Sequence, residues 1–280
     1  MSDAPTSADW AKARGEKWRD QLEALEAMLA PVDAPLIEAL RLDAPYRIAD
    51  MACGGGGTTL AIGRSAPQGS AVHGYDISSA LVEVARSRTP WNDALTFAVA
   101  DGAAARPDAP YDRLASRFGI MFFDDPPGAF ANLARWLAPH GRFAFAVWGP
   151  PKANPWMASL RAVASEIVDL EPPDPEAPGP FRYAGGEALG ALLEEAGFRE
   201  IAVHDWRGEL ALGGGMAPAE AAAFALAAFS LGDLLAEEGP EVLDAVREGL
   251  AAHYAEHQTG GAVTMAAHVH IVTGVGPEGS

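Results

Sequence analysis

Apolar positions follow two different periods along the chain. From Trp10 to Leu29, the residues Trp18, Leu22, Leu25, Met28 and Leu29 recur at helical spacing. This predicts an N-terminal helix with one apolar stripe, with Pro31 and Pro35 expected to break it before a short run from Leu36 to Leu40. Five short apolar runs come next: Tyr46 to Asp50, Ala71 to Asp76, Leu95 to Ala100, Tyr111 to Ser116 and Arg142 to Trp148. Each is bounded by turn residues and reads as a buried strand. Helical patterns separate them: Thr58 to Gly63, a segment capped by Ser78 or Ser79 and running to Arg88, and an amphipathic stretch behind Asp125-Pro126-Pro127 with Phe130, Leu133, Ala134 and Leu137 on one face. Strands alternating with helices imply a parallel sheet covered on both sides.

The period changes after Trp148. A helix is predicted from Trp156 to Leu170, followed by the proline-rich run Glu171 to Pro180, which cannot join a sheet interior and is a candidate lid or hinge. The earlier pattern returns as a helix from Gly186 to Ala196, closed by Gly197, and a strand from Phe198 to Val203. Two Ala- and Leu-rich helices, Pro218 to Glu237 and Pro240 to Glu256, precede a last strand from Ala266 to Thr273.

A chain of 280 residues accommodates one large domain, or a domain with a cap. Its 38 acidic and 20 basic residues give a formal charge of -18, which argues against a phosphate backbone as partner. The acidic balance permits a cationic substrate without requiring one. Cys53 is the only cysteine, so neither a disulfide framework nor a four-cysteine zinc site is expected. No cationic region followed by an apolar core opens the chain, and no run approaches the roughly eighteen apolar residues that span a bilayer. The expectation is a cytoplasmic protein with no nucleic-acid or membrane partner.

The strand ends carry the candidate chemistry. Three of the runs deliver an acid at or just beyond their carboxyl end: Asp50, Asp76 and Asp101. Asp50 is followed closely by Gly54-Gly55-Gly56-Gly57, a tight turn into a helix that lets backbone approach a ligand. Open α/β sheets bind ligands in the crevice at such strand ends, so a nucleoside-containing cofactor is expected. The dinucleotide fingerprint Gly-x-Gly-x-x-Gly does not fit, because its third glycine falls at Thr59 counted from Gly54 and at Leu60 counted from Gly55. A phosphate-binding lysine loop is missing too, since the first basic residue after the glycines is Arg64.

On these residues the sequence resembles the class I S-adenosylmethionine-dependent methyltransferases, in particular the small-molecule group labelled type 11 or type 25 methyltransferase domains. The likeness runs from about Trp10 to Trp156 and returns at Phe198. The family's first motif reads Asp-x-Gly-x-Gly-x-Gly or Asp-x-Gly-Cys-Gly-x-Gly. Asp50, Cys53, Gly54 and Gly56 match it, while Ala52 replaces the first glycine and is expected to take ordinary backbone angles. The resemblance implies a Rossmann-like α/β fold: a seven-stranded, mostly parallel sheet with helices on both faces, an N-terminal helical cap and a lid inserted after strand five. The corresponding organisation is a cap over 1–45, a cofactor-binding core over 46–150, a lid over 151–184, and over 185–280 the rest of the sheet with a helical insertion on the substrate side.

The resemblance also implies roles. Asp76 would accept hydrogen bonds from the ribose hydroxyls, with Ile77 near adenine. Asp101 would meet the adenine amino group beside Gly102 and Ala103. Ser116, Arg117 and Phe118 would border the methionine end, and Trp18 would complete the cofactor site. The implied activity is in-line transfer of a methyl group to oxygen, nitrogen or carbon of a small molecule. A homodimer is a separate expectation, not part of the resemblance. An NAD(P)-dependent oxidoreductase and a non-catalytic binding protein of the same fold are the alternatives.

Plainer readings stand beside these. Asp50 can fix the glycine loop by accepting backbone N–H bonds, Asp101 can shape a turn, Asp125 reads as an N-cap and Cys53 as a small packed residue. Methyl transfer needs chiefly alignment, because the donor is already activated, so no dedicated base is required. His204, beside Asp205 and Trp206, is the candidate for a catalytic base. His253 and His257 are four apart on a predicted helix and His268 and His270 two apart on a predicted strand, but no acid is placed with either pair and no metal is expected. Phe122, Trp148, Trp156, Phe181 and Tyr183 are the candidates to enclose an apolar or aromatic acceptor.

Overall fold

A computed structural model describes residues 6–89, 92–172 and 174–278. Residues 1–5 of the expected cap, Pro173 of the proline-rich run and the last two residues of the chain lie outside the described residues. The elements in chain order are α1 (Ser7–Trp10), α2 (Ala13–Asp20), α3 (Leu22–Leu29), α4 (Asp33–Ala39), β1 (Arg47–Met51), α5 (Gly57–Ser65), β2 (Ala71–Asp76), α6 (Ser79–Ser87), β3 (Leu95–Val99) and β4 (Tyr111–Arg117). They continue with α7 (Pro126–Ala134), β5 (Leu137–Trp148), α8 (Pro155–Ser165), α9 (Glu187–Glu195), β6 (Arg199–Ala211), α10 (Pro218–Ala228), α11 (Ser230–Glu237), α12 (Pro240–Ala255), β7 (Gln258–Thr259) and β8 (Ala262–Val275).

The sheet runs in the order β3-β2-β1-β4-β5-β8-β6, with the two-residue β7 paired to β8 off this path. The first five strands are parallel, whereas β8 is antiparallel to both its neighbours. This is the Rossmann-like sheet expected from the sequence, with N-terminal helices and an insertion after the fifth strand. Because β1 is flanked by β2 and β4, the order reverses at β1, which opens a crevice at the carboxyl ends of these strands. The interior strands are apolar on both faces: in β5, Phe143, Ala144, Phe145, Ala146 and Val147 are all fully buried.

Several elements differ from the reading of the sequence. The expected helix from Trp10 to Leu29 is three helices, broken at Ala11-Lys12 and again at Gln21. Pro35 does not break a helix but sits in the first turn of α4, where its missing N–H is unneeded. The helix expected to reach Leu170 stops at Ser165. The stretch from Pro218 to Glu237 is two helices bent by 86° around Phe229, which takes an extended conformation. Both late strands are longer than expected, since β6 and β8 pair from Arg199 to Ala211 and continue past the apolar stretch each shows alone. Among the described residues no single helix is long and apolar enough to cross a membrane.

Candidate active site

The site is built from the carboxyl ends of β1 to β4. β1 delivers Asp50 and Met51 into the loop 52–56, which departs from helical and extended angles at Ala52 (φ +56°), Gly54 (φ +55°) and Gly56 (φ +88°). Ala52 therefore does not take the ordinary angles expected of it. A left-handed alanine is strained by about 1–2 kcal/mol. Its methyl group packs on the chain after β4, because a Cβ added at Gly119 would lie 2.1 Å from the Cβ of Ala52. The loop is stitched to β2: Cys53 N donates to Tyr75 O at 3.0 Å, and Gly54 N donates to Asp76 Oδ2 at 2.8 Å. A Cβ on Gly54 would meet nothing within 4 Å, so backbone faces open space there.

Three acids stand in different environments. Asp50 is 1% exposed, its Oδ2 accepts from the Thr59 hydroxyl at 2.6 Å, and Oδ1 has no partner. The plain reading, in which it accepts backbone N–H bonds of the loop, is replaced by this helix hydroxyl. Burial raises its carboxyl to about 7, against the opposing pull of Thr59 and Arg117. Asp76 is buried as well, with Oδ1 accepting from Ser78 N at 2.8 Å; desolvation raises its carboxyl, and the backbone bonds counter part of that rise. Each of its oxygens keeps further accepting capacity. Asp101 Oδ1 accepts from Ala103 N at 2.9 Å, the turn expected of it.

After β4, Arg117 donates to Asp33 Oδ1 at 2.9 Å and to the Leu29 carbonyl at 3.1 Å, fastening the N-terminal helices to the sheet. Phe118 takes φ +61°, rare for an aromatic residue, and stacks on Trp148 with ring centroids 3.9 Å apart and planes at 3°. Strain of this kind persists where packing over-determines the conformation, and here the Trp148 ring supplies that packing. The insertion crosses above: Gly179 N donates to Met121 O at 3.2 Å, and Arg182 Nη1 donates to Phe123 O at 2.6 Å.

These elements enclose one cavity of about 1600 Å³. Of the residues expected to bind cofactor, Trp18, Asp50, Ala52, Cys53, Gly54 and Asp76 line it, as do Ile77, Asp101, Gly102, Arg117 and Phe118. Gly56, Ala103 and Ser116 stand behind the lining: Gly56 caps α5, and the Ser116 hydroxyl is buried without a partner. Phe122, Trp148, Trp156 and Phe181 also line the cavity. Tyr183 is buried beside Phe130, at 6.3 Å between ring centroids, outside the lining. His204 lies in a separate cleft with Pro35, Arg142 and Thr273. Burial pushes the Cys53 thiol well above its ordinary range, which suits packing and not nucleophilic attack.

The sequence assigns no site role to several lining residues: Trp10, Arg14, Glu26, Phe229 and Leu231. Trp10 extends the aromatic wall, with ring centroids 5.5 Å from Trp18 and 5.0 Å from Phe122. Glu26 accepts from Gly57 N at 3.2 Å and from Arg88 at 2.8 Å, so α3 closes over the glycine loop. No local pattern marks these residues, because their place depends on how α1, α3 and the break between α10 and α11 pack against strand ends distant in sequence.

Comparison with known proteins agrees with this geometry. Residues 49–145 match the family model described as a methyltransferase domain. The chain is 30% identical over 200 residues to a trans-aconitate 2-methyltransferase of Methylobacterium radiotolerans, covering 69% of this chain and 67% of that one. It is 34% identical over 166 residues to a demethylmenaquinone methyltransferase of Thermus thermophilus, covering 55% of this chain and 75% of that one. Among solved structures, the YcgJ protein from Bacillus subtilis superposes with a TM-score of 0.59 at 17% identity, covering 89% of this chain and all of that one, which shows the shared fold. The chain belongs to the class I S-adenosylmethionine-dependent methyltransferases. It is an enzyme that takes its methyl group from S-adenosylmethionine and passes it to a small molecule.

Proposed function

We propose that the chain methylates an apolar or aromatic small molecule, with the ends of β1 to β3 holding S-adenosylmethionine and the aromatic wall holding the acceptor. The observation that carries this reading is the convergence of Asp50, Asp76, Asp101 and Phe118, from four strand ends, on one cavity. The cavity volume of about 1600 Å³ exceeds the roughly 300–1,000 Å³ of ordinary small-ligand pockets, leaving room for two molecules side by side.

The residues suit the donor. The unpartnered Oδ1 of buried Asp50 receives the cationic amino group of the methionine end, and the open space at Gly54 admits that end against the backbone. Asp76 accepts from the ribose hydroxyls with its remaining lone pairs. Asp101 with Gly102 forms the adenine side, and Ile77 packs against the base. When bound, the cofactor supplies a methyl group already activated by a sulfonium. The chain's own work is to orient the acceptor and exclude water, which the stacked Phe118 and Trp148, the insertion and α11 perform at the cavity's other end.

The character of the acceptor follows from the wall around it. Trp10, Phe122, Trp156, Phe181, Phe229 and Leu231 line the cavity. The cavity's four lining arginines, Arg14, Arg117, Arg161 and Arg182, are outnumbered two to one by its acids, among them Asp169, Glu171, Asp174 and Glu238. A multiply charged carboxylate like the substrate in one relative's name finds little here to neutralise it, whereas a flat aromatic ring finds stacking partners. Calorimetric titration with S-adenosylhomocysteine tests the donor assignment. Binding should fall at least about tenfold in Asp76→Ala, the loss of one or two charge-assisted hydrogen bonds. Unchanged binding in that variant would remove Asp76 from the site. A turnover screen of phenols and quinols against dicarboxylates and tricarboxylates tests the acceptor, and exclusive turnover of the acids would overturn the aromatic assignment.

A further inference from the structure

Outside the methyl-transfer cavity, the described residues bring together a cluster of two buried histidines and an aspartate. In the antiparallel pair of β6 and β8, Asp205 is opposite His270 and Arg207 opposite His268. Side chains alternate along a strand, so His268, His270 and Asp205 share one face, while Trp148 and Val269 turn to the other. His268 is 4% exposed and His270 7%, whereas the Asp205 side chain is open to solvent on one side. Space for His268 comes from Gly149, where a Cβ would approach its Nδ1 to 2.5 Å. Buried Asn154 fixes the main chain of His268, accepting from its N–H at 2.9 Å and donating to its carbonyl at 3.0 Å.

Asp205 Oδ1 is the focus of the cluster, 2.8 Å from His270 Nδ1 and 3.1 Å from His268 Nε2. The three atoms lie within 4.8 Å of one another. Arg207 pairs with the other oxygen, Oδ2, at 3.3 Å. His270 Nε2 is 2.9 Å from the Ala184 carbonyl oxygen, which can only accept, so that nitrogen carries a proton. In the neutral ring Nδ1 is then a lone pair, and it faces a carboxylate that also only accepts. Something cationic must lie between the two, either a second proton on the ring or a metal ion. His268 poses the same question, because both its ring nitrogens are buried without an aligned hydrogen bond. A buried polar atom left in that state costs about 1–3 kcal/mol.

We propose that Asp205, His268 and His270 bind one divalent transition-metal ion of the zinc class. Two imidazoles and a carboxylate are the donor set such an ion takes, at about 2.0–2.2 Å from each ligand atom. Ligand atoms around a tetrahedral ion at that distance stand roughly 3.3 Å apart, against 2.8 and 3.1 Å from Asp205 Oδ1 to the two imidazole nitrogens and at most 4.8 Å between any two of the three atoms. The solvent side of Asp205 leaves a position for water. The Ala184 carbonyl is the outer contact a metal-bound histidine characteristically has, and it leaves Nδ1 of His270 for the ion. An aspartate is ionised at neutral pH, as a metal ligand must be. None of the three residues lines the methyl-transfer cavity. The ion ties β6, β8 and the foot of the insertion at Ala184 together and touches no reacting atom. The sequence offers no acid for the pair His268 and His270; strand register brings Asp205 to them across 63 residues or more.

Equilibrium dialysis of the full 280-residue chain, free of any affinity tag and stripped with chelator, against zinc sulfate tests the site. One zinc per chain should be retained, and cobalt(II) in its place should give the visible absorption of a tetrahedral complex. His268→Gln should weaken zinc binding at least about tenfold, as should Asp205→Asn, which sits at a solvent-facing position and preserves the fold. His253 and His257, with rings 5.1 Å apart on and just beyond α12, form a separate surface pair. The double variant His253→Gln/His257→Gln should keep the tightly held ion. Absence of saturable zinc in the unaltered chain overturns the proposal. So does undiminished binding in both Asp205→Asn and His268→Gln, or loss of the ion in the His253/His257 double variant.

Discussion

Asp50→Asn separates the binding role of the buried acid from its effect on stability. The carboxyl of Asp50 is raised to about 7 in the folded chain by burial, and unfolding returns it to its ordinary value of 3.8. The folded state therefore holds the proton more tightly than the unfolded state. Its contribution to stability is complete below about pH 4 and is lost as pH rises through about 7. The whole difference corresponds to about 4 kcal/mol at most, and some 2–3 kcal/mol of it falls between about pH 5 and pH 8. The Asn variant has no such titration, while its amide oxygen can still accept from the Thr59 hydroxyl. Urea unfolding of both ligand-free proteins across that range should show the stability of the original falling relative to the variant by this amount. Other titrating groups are common to both and largely cancel. On the proposed pairing of Asp50 with the cofactor's amino group, that cation compensates the charge at pH 8 in the original only, so S-adenosylhomocysteine should bind the variant at least about tenfold more weakly. A stability difference that stays flat with pH would show that the carboxyl titrates normally, and the account of Asp50 as an acid held ready for a cation would fail.

Gly119→Ala should destabilise the chain by about 1–3 kcal/mol through overpacking, because the new methyl would overlap the Cβ of Ala52 at 2.1 Å. Ala52→Gly should restore most of that loss, a coupling that a double-mutant cycle by denaturant unfolding reads directly; simple additivity would show that the two residues do not touch. Arg117→Met should cost about 3 kcal/mol or more, since it leaves Asp33, whose carboxyl burial already raises, without the cation that opposes that rise. Thermal unfolding measures this, and the paired variant Arg117→Met/Asp33→Leu should recover much of the stability. Both recoveries are fold-level readouts and need no substrate.

Much of the cavity wall formed by the strand ends is legible in the amino-acid sequence. Asp50, Asp76 and Asp101 each end a strand, and the glycines beside Asp50 announce a tight backbone turn, so the motifs are local and survive without packing information. Ile77, Gly102, Arg117 and Phe118 follow, since they are fixed by being next to those strand ends. The aromatic wall is only half legible. Phe122, Trp148, Trp156 and Phe181 reach the cavity, but Tyr183, three residues from Pro180 in the same segment, turns into the core beside Phe130. An aromatic residue satisfies either environment, and only the path of the insertion decides between them. Trp10, Phe229 and Leu231 have no signal at all, because helix breaks at Ala11 and Phe229 aim them.

Apolar period and strand-end chemistry, properties of neighbouring residues, were enough to determine from the sequence alone an α/β chain with three acids and a glycine turn arranged for a nucleoside cofactor. What needed tertiary structure was every relation between segments far apart along the chain. The left-handed backbone of Ala52 is tolerated because Gly119 makes room for its methyl. The raised carboxyl of Asp50 comes from burial under other elements. The meeting of Asp205 with His268 and His270 comes from the register of β6 on β8. Hydrophobic pattern specifies which face of a strand is buried, but register and burial are set by the summed packing of the whole molecule, and those set the electrostatics of its sites.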